Sequence, residues 1–278
     1  MKCCICGTVK NCEIFLDKIF HNMEQIASLF EEYAIILYYD TSSDNTLNKL
    51  IQYKLSNKYF NFYVNKDPLL NYRTHNIAKG RNYCINYINE NHKEYDYFIM
   101  MDCDDVCIEK VNLNVLRKNL LRDDWDCLSF NKNDYYDIWA LSYGPYAASF
   151  YIFNIPITNM NTSITNMNLN EDKTPLKIMK NNIMKTLNAC PDGKLVTCYS
   201  AFNGFAIYKS EKFLNCKYDG TLNLNYIPKN LLFMNIKQFG NIMNRKYLYN
   251  EDCEHRHFHF EALLKNNARI RISPEIIF

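Results

Sequence analysis

Glycine and proline are scarce, at seven residues each in a chain of 278. That excludes a collagen-like or linker-rich architecture. No apolar run approaches the roughly 18–20 residues of a membrane-crossing helix, so no transmembrane segment is expected. An excess of one charge is also missing, since 32 basic and 30 acidic residues leave +2. Such balance argues against a basic face for nucleic acid, and nucleic acid is not an expected partner. No secretory signal is visible, because "CCIC" after Lys2 is broken at once by Gly7-Thr8. A reducing, cytoplasmic setting with free thiols is therefore expected of the 12 cysteines. The cluster Cys3, Cys4, Cys6 and Cys12 lacks the paired second half of a zinc site, so buried strand cysteines are the expectation.

The hydrophobic fraction of 48% with 22% charged residues is that of an ordinary folded chain. Its first hundred residues alternate. "KCCICGTVKN" (strand about 2–9), a helical period over 12–31, "YAIILYYD", a helix over 44–55, "NFYVN", a helix over about 75–90 and "YFIMM" follow one another. Continuous apolar strands between helices predict an α/β fold with a mostly parallel central sheet, Rossmann-like and flanked by helices. Ligands bind such sheets beyond the carboxyl ends of the strands, where Thr8, Asp40 and Asp102 fall. The second half is less regular, with an Asn-rich polar insertion near 155–190 and a formal glycosylation acceptor at Asn161. With no linker dividing the chain, one domain spanning 1–278 is expected. The Asn-, Ile- and Lys-rich style is that of an AT-rich genome, such as a large DNA virus or a parasite.

"YFIMMDCDDV" (97–106) ends an apolar strand in three carboxylates. Asp102 and Asp104, two apart, suit a divalent cation such as Mn²⁺ or Mg²⁺. A site with only two protein carboxylates leaves room for substrate phosphates and water, which implies a phosphorylated ligand. The plain alternative is an Asp-rich surface turn.

Four blocks in order carry a resemblance: "YYDTSSDNT", "HNIAKGRNYCINY", "MMDCDDV" and "NEDCEHRHFHFEALLKNNARIRISPE". Together they resemble the GT-A fold glycosyltransferases that use nucleotide sugars, in pattern the family 2-like group, over about residues 5 to 275. The resemblance implies a metal-dependent transfer of a sugar from a nucleotide-diphosphate sugar, a UDP-sugar foremost, to a hydroxyl of a glycan, protein or lipid-linked acceptor. It makes 1–110 the donor-binding half and 111–278 the acceptor-side half with an elaborated structure. Thr8 and Asp40 would meet the nucleoside, with Arg81, Lys79 or Arg73 offsetting the diphosphate charge. Asp102 and Asp104 would hold Mn²⁺ or Mg²⁺, with Asp105 a structural or ribose-side hydrogen-bonding partner. Asp252 would be the general base of an inverting displacement, with Glu251 and Glu254 as alternatives. Asp252 also suits the N-cap of the helix that follows it. Asn203-Gly204 resembles a glycine loop near the acceptor.

One departure stands out. Many enzymes of this kind carry a third metal ligand, a His, after the Pro-Glu strand, and no His follows Pro274-Glu275 here. His255 and His259, four apart on one helix face, are the substitutes in the chain, beside the plainer reading of a core or surface histidine cluster. A nucleotidyltransferase could use the same acids, but "CGTVKNCE" is a poor phosphate loop. An inactive glycan-binding relative is the remaining alternative. A membrane-peripheral location would suit a lipid-linked acceptor, although no strongly basic amphipathic helix supports it.

Overall fold

The computed structural model describes residues 1–145, 175–221, 223–239 and 251–278. Eight strands form one sheet: β1 (Lys2–Val9), β2 (Glu32–Tyr39), β3 (Phe60–Val64), β4 (Tyr97–Met101), β5 (Cys127–Asn131), β6 (Val196–Thr197), β7 (Phe205–Lys209) and β8 (Ile270–Ile276). Their order across the sheet is β3-β2-β1-β4-β7-β5-β8-β6. The pairs β1–β2, β2–β3, β1–β4 and β5–β8 are parallel, while β7 runs antiparallel to both β4 and β5, and β6 antiparallel to β8. This is the mostly parallel α/β layout that the alternation predicts. The carboxyl ends of β1, β2, β4 and β5 therefore open on one edge, and β7 starts from that edge.

Helices cover both faces. On one lie α1 (Leu16–Ala27), α2 (Thr46–Ser56) and α4 (Leu113–Leu120). On the other lie α3 (Arg73–Asn91), α5 (Pro175–Asn188), the short α6 (Ser210–Phe213) and α8 (Glu254–Asn266). A further helix, α7, spans Lys229–Phe239. β4 is apolar throughout because successive side chains enter opposite cores: Phe98 and Met100 join one, Ile99 and Met101 the other. The same alternation sorts the cysteines of β1, with Cys4 and Cys6 on one face and Cys3 on the other, all buried as free thiols. Helix α1 buries Leu16, Ile19, Phe20, Met23 and Ile26, the three-four spacing of an amphipathic helix.

Two expected boundaries shift. The helical period over 12–31 yields the shorter α1, because Cys12–Phe15 forms a turn before it. "AFNGFAIYK" is a strand only from Phe205, since Asn203 (φ 59°) and Gly204 (φ 87°) are left-handed. Of the Asn-rich insertion, residues 155–174, with Asn161, lie outside the described residues. Its continuation forms α5, which buries Met179, Ile183 and Leu187. Among the described residues no helix is long and apolar enough to cross a membrane.

Gly80 fixes how closely α3 approaches the sheet below the strand ends. A Cβ there would lie 2.7 Å from both Thr8 Cγ2 and Tyr38 Cδ1. Gly80→Ala should therefore cost ~1–3 kcal/mol by overpacking, although alanine is the better helix former. Urea unfolding checks this: an unchanged or raised midpoint would show that α3 has slack at this point.

Candidate functional site

A cleft of about 440 Å³ opens at the carboxyl edge of the sheet. β1 delivers Thr8 to it and β2 delivers Asp40; β4 is followed by Asp102 and Asp104, and β5 by the loop that carries Tyr136 and Asp137. The facing wall is Arg73, Thr74 and Arg81 of α3 with Glu254, the first residue of α8.

Arg81 organises the floor. It is 4% exposed, donates to Asp102 Oδ1 at 3.0 Å and pairs through its other terminal nitrogen with Glu254. Its guanidinium lies 4.6 Å from the centroid of the Phe202 ring. Burial alone works against its charge, but the carboxylates of Glu254 and Asp102 outweigh that and hold it protonated.

The acids are crowded and poorly solvated. Burial pushes Asp102 up to about 7, with Arg81 opposing and Asp104 and Asp137 adding to the rise. Asp104 is raised by burial too, against the Val106 N–H that its Oδ1 accepts at 3.2 Å. Asp137 is pushed up to about 6 by burial, although its Oδ1 accepts the Ala140 N–H at 2.9 Å. A cation would relieve this. Asp102 and Asp104 each keep a second oxygen with no hydrogen bond from a described residue. Hard oxygens of this kind fit Mn²⁺ or Mg²⁺. Among the described residues no group of three His, Cys, Asp or Glu side chains could hold a metal by itself. The donor set thus fits a cation only as a two-carboxylate anchor, with water and phosphate completing the shell.

Thr8, Asp40, Arg81, Asp102 and Asp104 thus come together at the cleft, as does Glu254. Asp40 Oδ1 accepts a hydrogen bond from Asn65 Nδ2 at 2.8 Å. Asp105 is exposed. Lys79 does not line the cleft; its Nζ is held by Asp67 at 2.6 Å and Asn65 at 3.2 Å. Glu251 accepts from the Thr74 N–H and hydroxyl, each at 3.2 Å. It thereby caps α3, whose own N-cap residue, Tyr72, offers no side-chain bond.

Asp252 is 2% exposed and does not line the cleft. Both its oxygens accept from Arg256 Nε, at 3.2 and 3.0 Å, and the helix N-cap is Cys253 instead. Arg256, 1% exposed, reaches on to the carbonyls of Leu141 and Trp139 and to Ser142 Oγ. The pair therefore grips the segment behind Asp137. His255 and His259 also lie away from the cleft, both fully buried. His255 stacks on Phe202 with ring centroids 3.7 Å apart. His259 bonds Ser200 Oγ at 2.9 Å and Tyr208 OH at 3.2 Å, and burial lowers it to about 3. Neither ring nitrogen pair is placed to ligate with Asp102 and Asp104, because the side of α8 that carries them packs on the core.

Asn203 and Gly204 sit behind the wall rather than on it. Asn203 Oδ1 accepts the N–H groups of Tyr136 (2.8 Å) and Asp137 (3.1 Å), and its Nδ2 donates to Phe130 O at 2.8 Å. Gly204 O accepts the Asp102 N–H at 2.9 Å, and a Cβ on Gly204 would fall 2.3 Å from Val106 Cγ1. Asp137, Tyr136, Trp139 and Phe202 are cleft residues that sequence reasoning missed. "CLSFN" is a short apolar strand, but two acids follow it, Asp134 and Asp137, and the strand-end rule does not choose between them.

Replacing Arg81 with Met should cost ~3–5 kcal/mol at pH 8, since Asp102 and Glu254 would then be buried without a countercharge. The gap from wild type should narrow as pH falls toward about 7, because Asp102 without its countercharge binds a proton more readily than it does in wild type. Denaturant melts at pH 8 and pH 5.5 check this. A gap that stays constant or widens on acidification would show that the guanidinium is not the countercharge.

By sequence, the chain matches no family model and no curated protein. Among the solved structures that it is similar to are glycosyltransferases of the GT-A type. One is S. aureus TarS 1-349, at TM-score 0.45 and 13% identity, covering 100% of this chain and 59% of that one. Another is glucosyl-3-phosphoglycerate synthase of Mycobacterium tuberculosis with Mn²⁺, UDP and phosphoglyceric acid, at 0.41 and 9%, covering 86% and 65%. A third is the mannosyltransferase PcManGT of Pyrobaculum calidifontis with GDP-Man and Mn²⁺, at 0.35 and 11%, covering 52% and 40%. This chain thus spans less than two thirds of each. At such scores and identities their ligands and activities do not transfer by likeness, and the chemistry has to be read from the side chains above.

Proposed function

We propose that this protein is a glycosyltransferase that moves a sugar from a nucleotide-diphosphate sugar, a UDP-sugar foremost, to a hydroxyl acceptor by an inverting displacement. The observation that carries this reading is the Asp102–Asp104 pair, which brings two crowded carboxylates to the ligand edge of the sheet with one oxygen each to spare. Asp40 and Thr8 lie at the ends of β2 and β1, a place suited to the nucleoside. Arg73 lines the cleft, and its charge lowers the pKa of Asp104. It is therefore the cation best placed to meet a diphosphate near the acid pair, since Lys79 is engaged elsewhere. Arg81 acts through Asp102 and Glu254, orienting both.

Asp102 and Asp104 would hold Mn²⁺ or Mg²⁺. Such an ion, when bound, offsets the negative charge that develops on a departing nucleoside diphosphate. The chain's own contribution is to position the anomeric carbon, exclude water and receive the acceptor's proton. The acceptor is a glycan, protein or lipid-linked hydroxyl, and hexosyl transfer is the reaction type.

Thermal shift against UDP-glucose, UDP-N-acetylglucosamine and GDP-mannose, each with Mn²⁺, tests the reading, because a ligand that binds the native state stabilises it by mass action. At least one donor should raise the melting temperature in the presence of Mn²⁺. Asp104→Ala should abolish that shift and lower release of nucleoside diphosphate by roughly 10²-fold or more. No shift with any donor, confirmed by calorimetry, would sink the proposal.

A further inference from the structure

We infer that Asp137 is the general base of this site, taking the proton of the acceptor hydroxyl, and that Asp252 serves the fold. This rests on the glycosyl-transfer reading above. The cleft acids among the described residues are Asp40, Asp102, Asp104, Asp137 and Glu254. Asp102 and Asp104 are the cation anchors, and Glu254 is pinned to Arg81. Asp40 stands at the end of β2, bonded to Asn65, on the nucleoside side. Asp137 remains. No described lysine or arginine forms an ion pair with it, and among the described residues only the Ala140 N–H engages one of its oxygens.

The support around Asp137 is unusually complete for a loop residue. Asn203, held left-handed at φ 59° and 2% exposed, fixes the Tyr136 and Asp137 amides. Arg256 fixes the segment from Trp139 to Ser142. The carboxylate is thus gripped on both sides in sequence, while its second oxygen has no hydrogen bond from a described residue. Positioned groups with a pKa near the working pH make effective bases, and burial moves Asp137 in that direction. Asp252 fails both requirements, since Arg256 occupies its two oxygens and it lies off the cleft.

In the step so defined, the acceptor oxygen forms a bond to the anomeric carbon as its proton passes to Asp137. The bond from that carbon to the diphosphate oxygen breaks, and its electron pair leaves on the nucleoside diphosphate. Asp137 then returns the proton to solvent.

Asp137→Asn keeps an oxygen for the Ala140 N–H and removes the base. Hydrolysis of the three donors above with Mn²⁺, water standing in for the acceptor, reads the chemical step; calorimetry with UDP and Mn²⁺ reads binding. Asp137→Asn should bind UDP within about twofold of wild type and melt as wild type does, yet hydrolyse ~10²–10⁴-fold more slowly. Asp252→Asn should melt at lower temperature and, per folded molecule, hydrolyse at least about tenfold faster than Asp137→Asn. Should the Asn variant fail to fold, Asp137→Ser, whose hydroxyl can also accept the Ala140 N–H, should show the same loss. Hydrolysis by either Asp137 variant within about fivefold of wild type overturns the inference while leaving glycosyl transfer standing. So does an Asp252→Asn protein that folds and binds UDP but is as slow as Asp137→Asn. A wild-type protein that neither binds nor hydrolyses any of the three donors overturns the underlying reading, and the inference with it.

Discussion

The site depends on one buried cation. Arg81 leaves water and in exchange holds Asp102 at the end of β4 and Glu254 at the start of α8. A desolvated charge of this kind is tolerable only when its partners are close and correctly oriented, and removing either side leaves the other uncompensated. The bond network therefore ties α3, β4 and α8 together at the point where the cleft floor must be rigid. It also explains why Arg81, expected at a diphosphate, is better understood as the residue that aims the acids. Its side chain is enclosed, and two of its three nitrogens are already engaged.

A second set of fixed polar contacts holds the loop after β5. Asn203 binds its early amides and Arg256 its later carbonyls, with Asp252 as the countercharge of Arg256. These side chains are buried and satisfied, so the loop between them has little freedom despite lacking regular structure. The division of labour among the acids follows. Asp252 and Glu254, each held by an arginine, set positions, while Asp104 and Asp137, with no ion pair to a described residue, each keep an oxygen without a hydrogen bond from a described residue.

The sequence made the first half of the chain legible. β1 to β4 are continuous apolar runs between helical periods, and the strand-end rule pointed to Thr8, Asp40 and Asp102, which line the cleft together with Asp104. The second half was less readable for physical reasons. β5, five residues like β3 and β4, has no helical period directly after it to mark it as one of an alternating series, and β6 is two residues, too short for periodicity to separate from loop. Asp252 and Glu254 are two apart, yet one faces Arg256 and the other Arg81; one-dimensional spacing cannot tell which way each carboxylate turns at a helix start. His255 and His259 share a helix face, as their spacing requires, but that face is the core. Asp137 went unnoticed because its place is set by Asn203, sixty-six residues distant along the chain.

The antiparallel β7 has a consequence for how the cleft is assembled. β4 hydrogen-bonds to β1 and β7, and β5 to β7 and β8, so among the described residues the strand ladder passes from the first half of the chain to β5 through β7 alone. Its pairings join residues about 80 to 110 positions apart, a closure of high contact order. The turn that starts β7 carries Asn203 and Gly204, so the strand that closes the sheet also brings the clamp for both acid-bearing segments. A chain synthesised only as far as the loop after β5 therefore carries Asp102, Asp104 and Asp137 on two strands that nothing yet joins, and Glu254 and Arg256, which complete the cleft and its support, lie beyond β7.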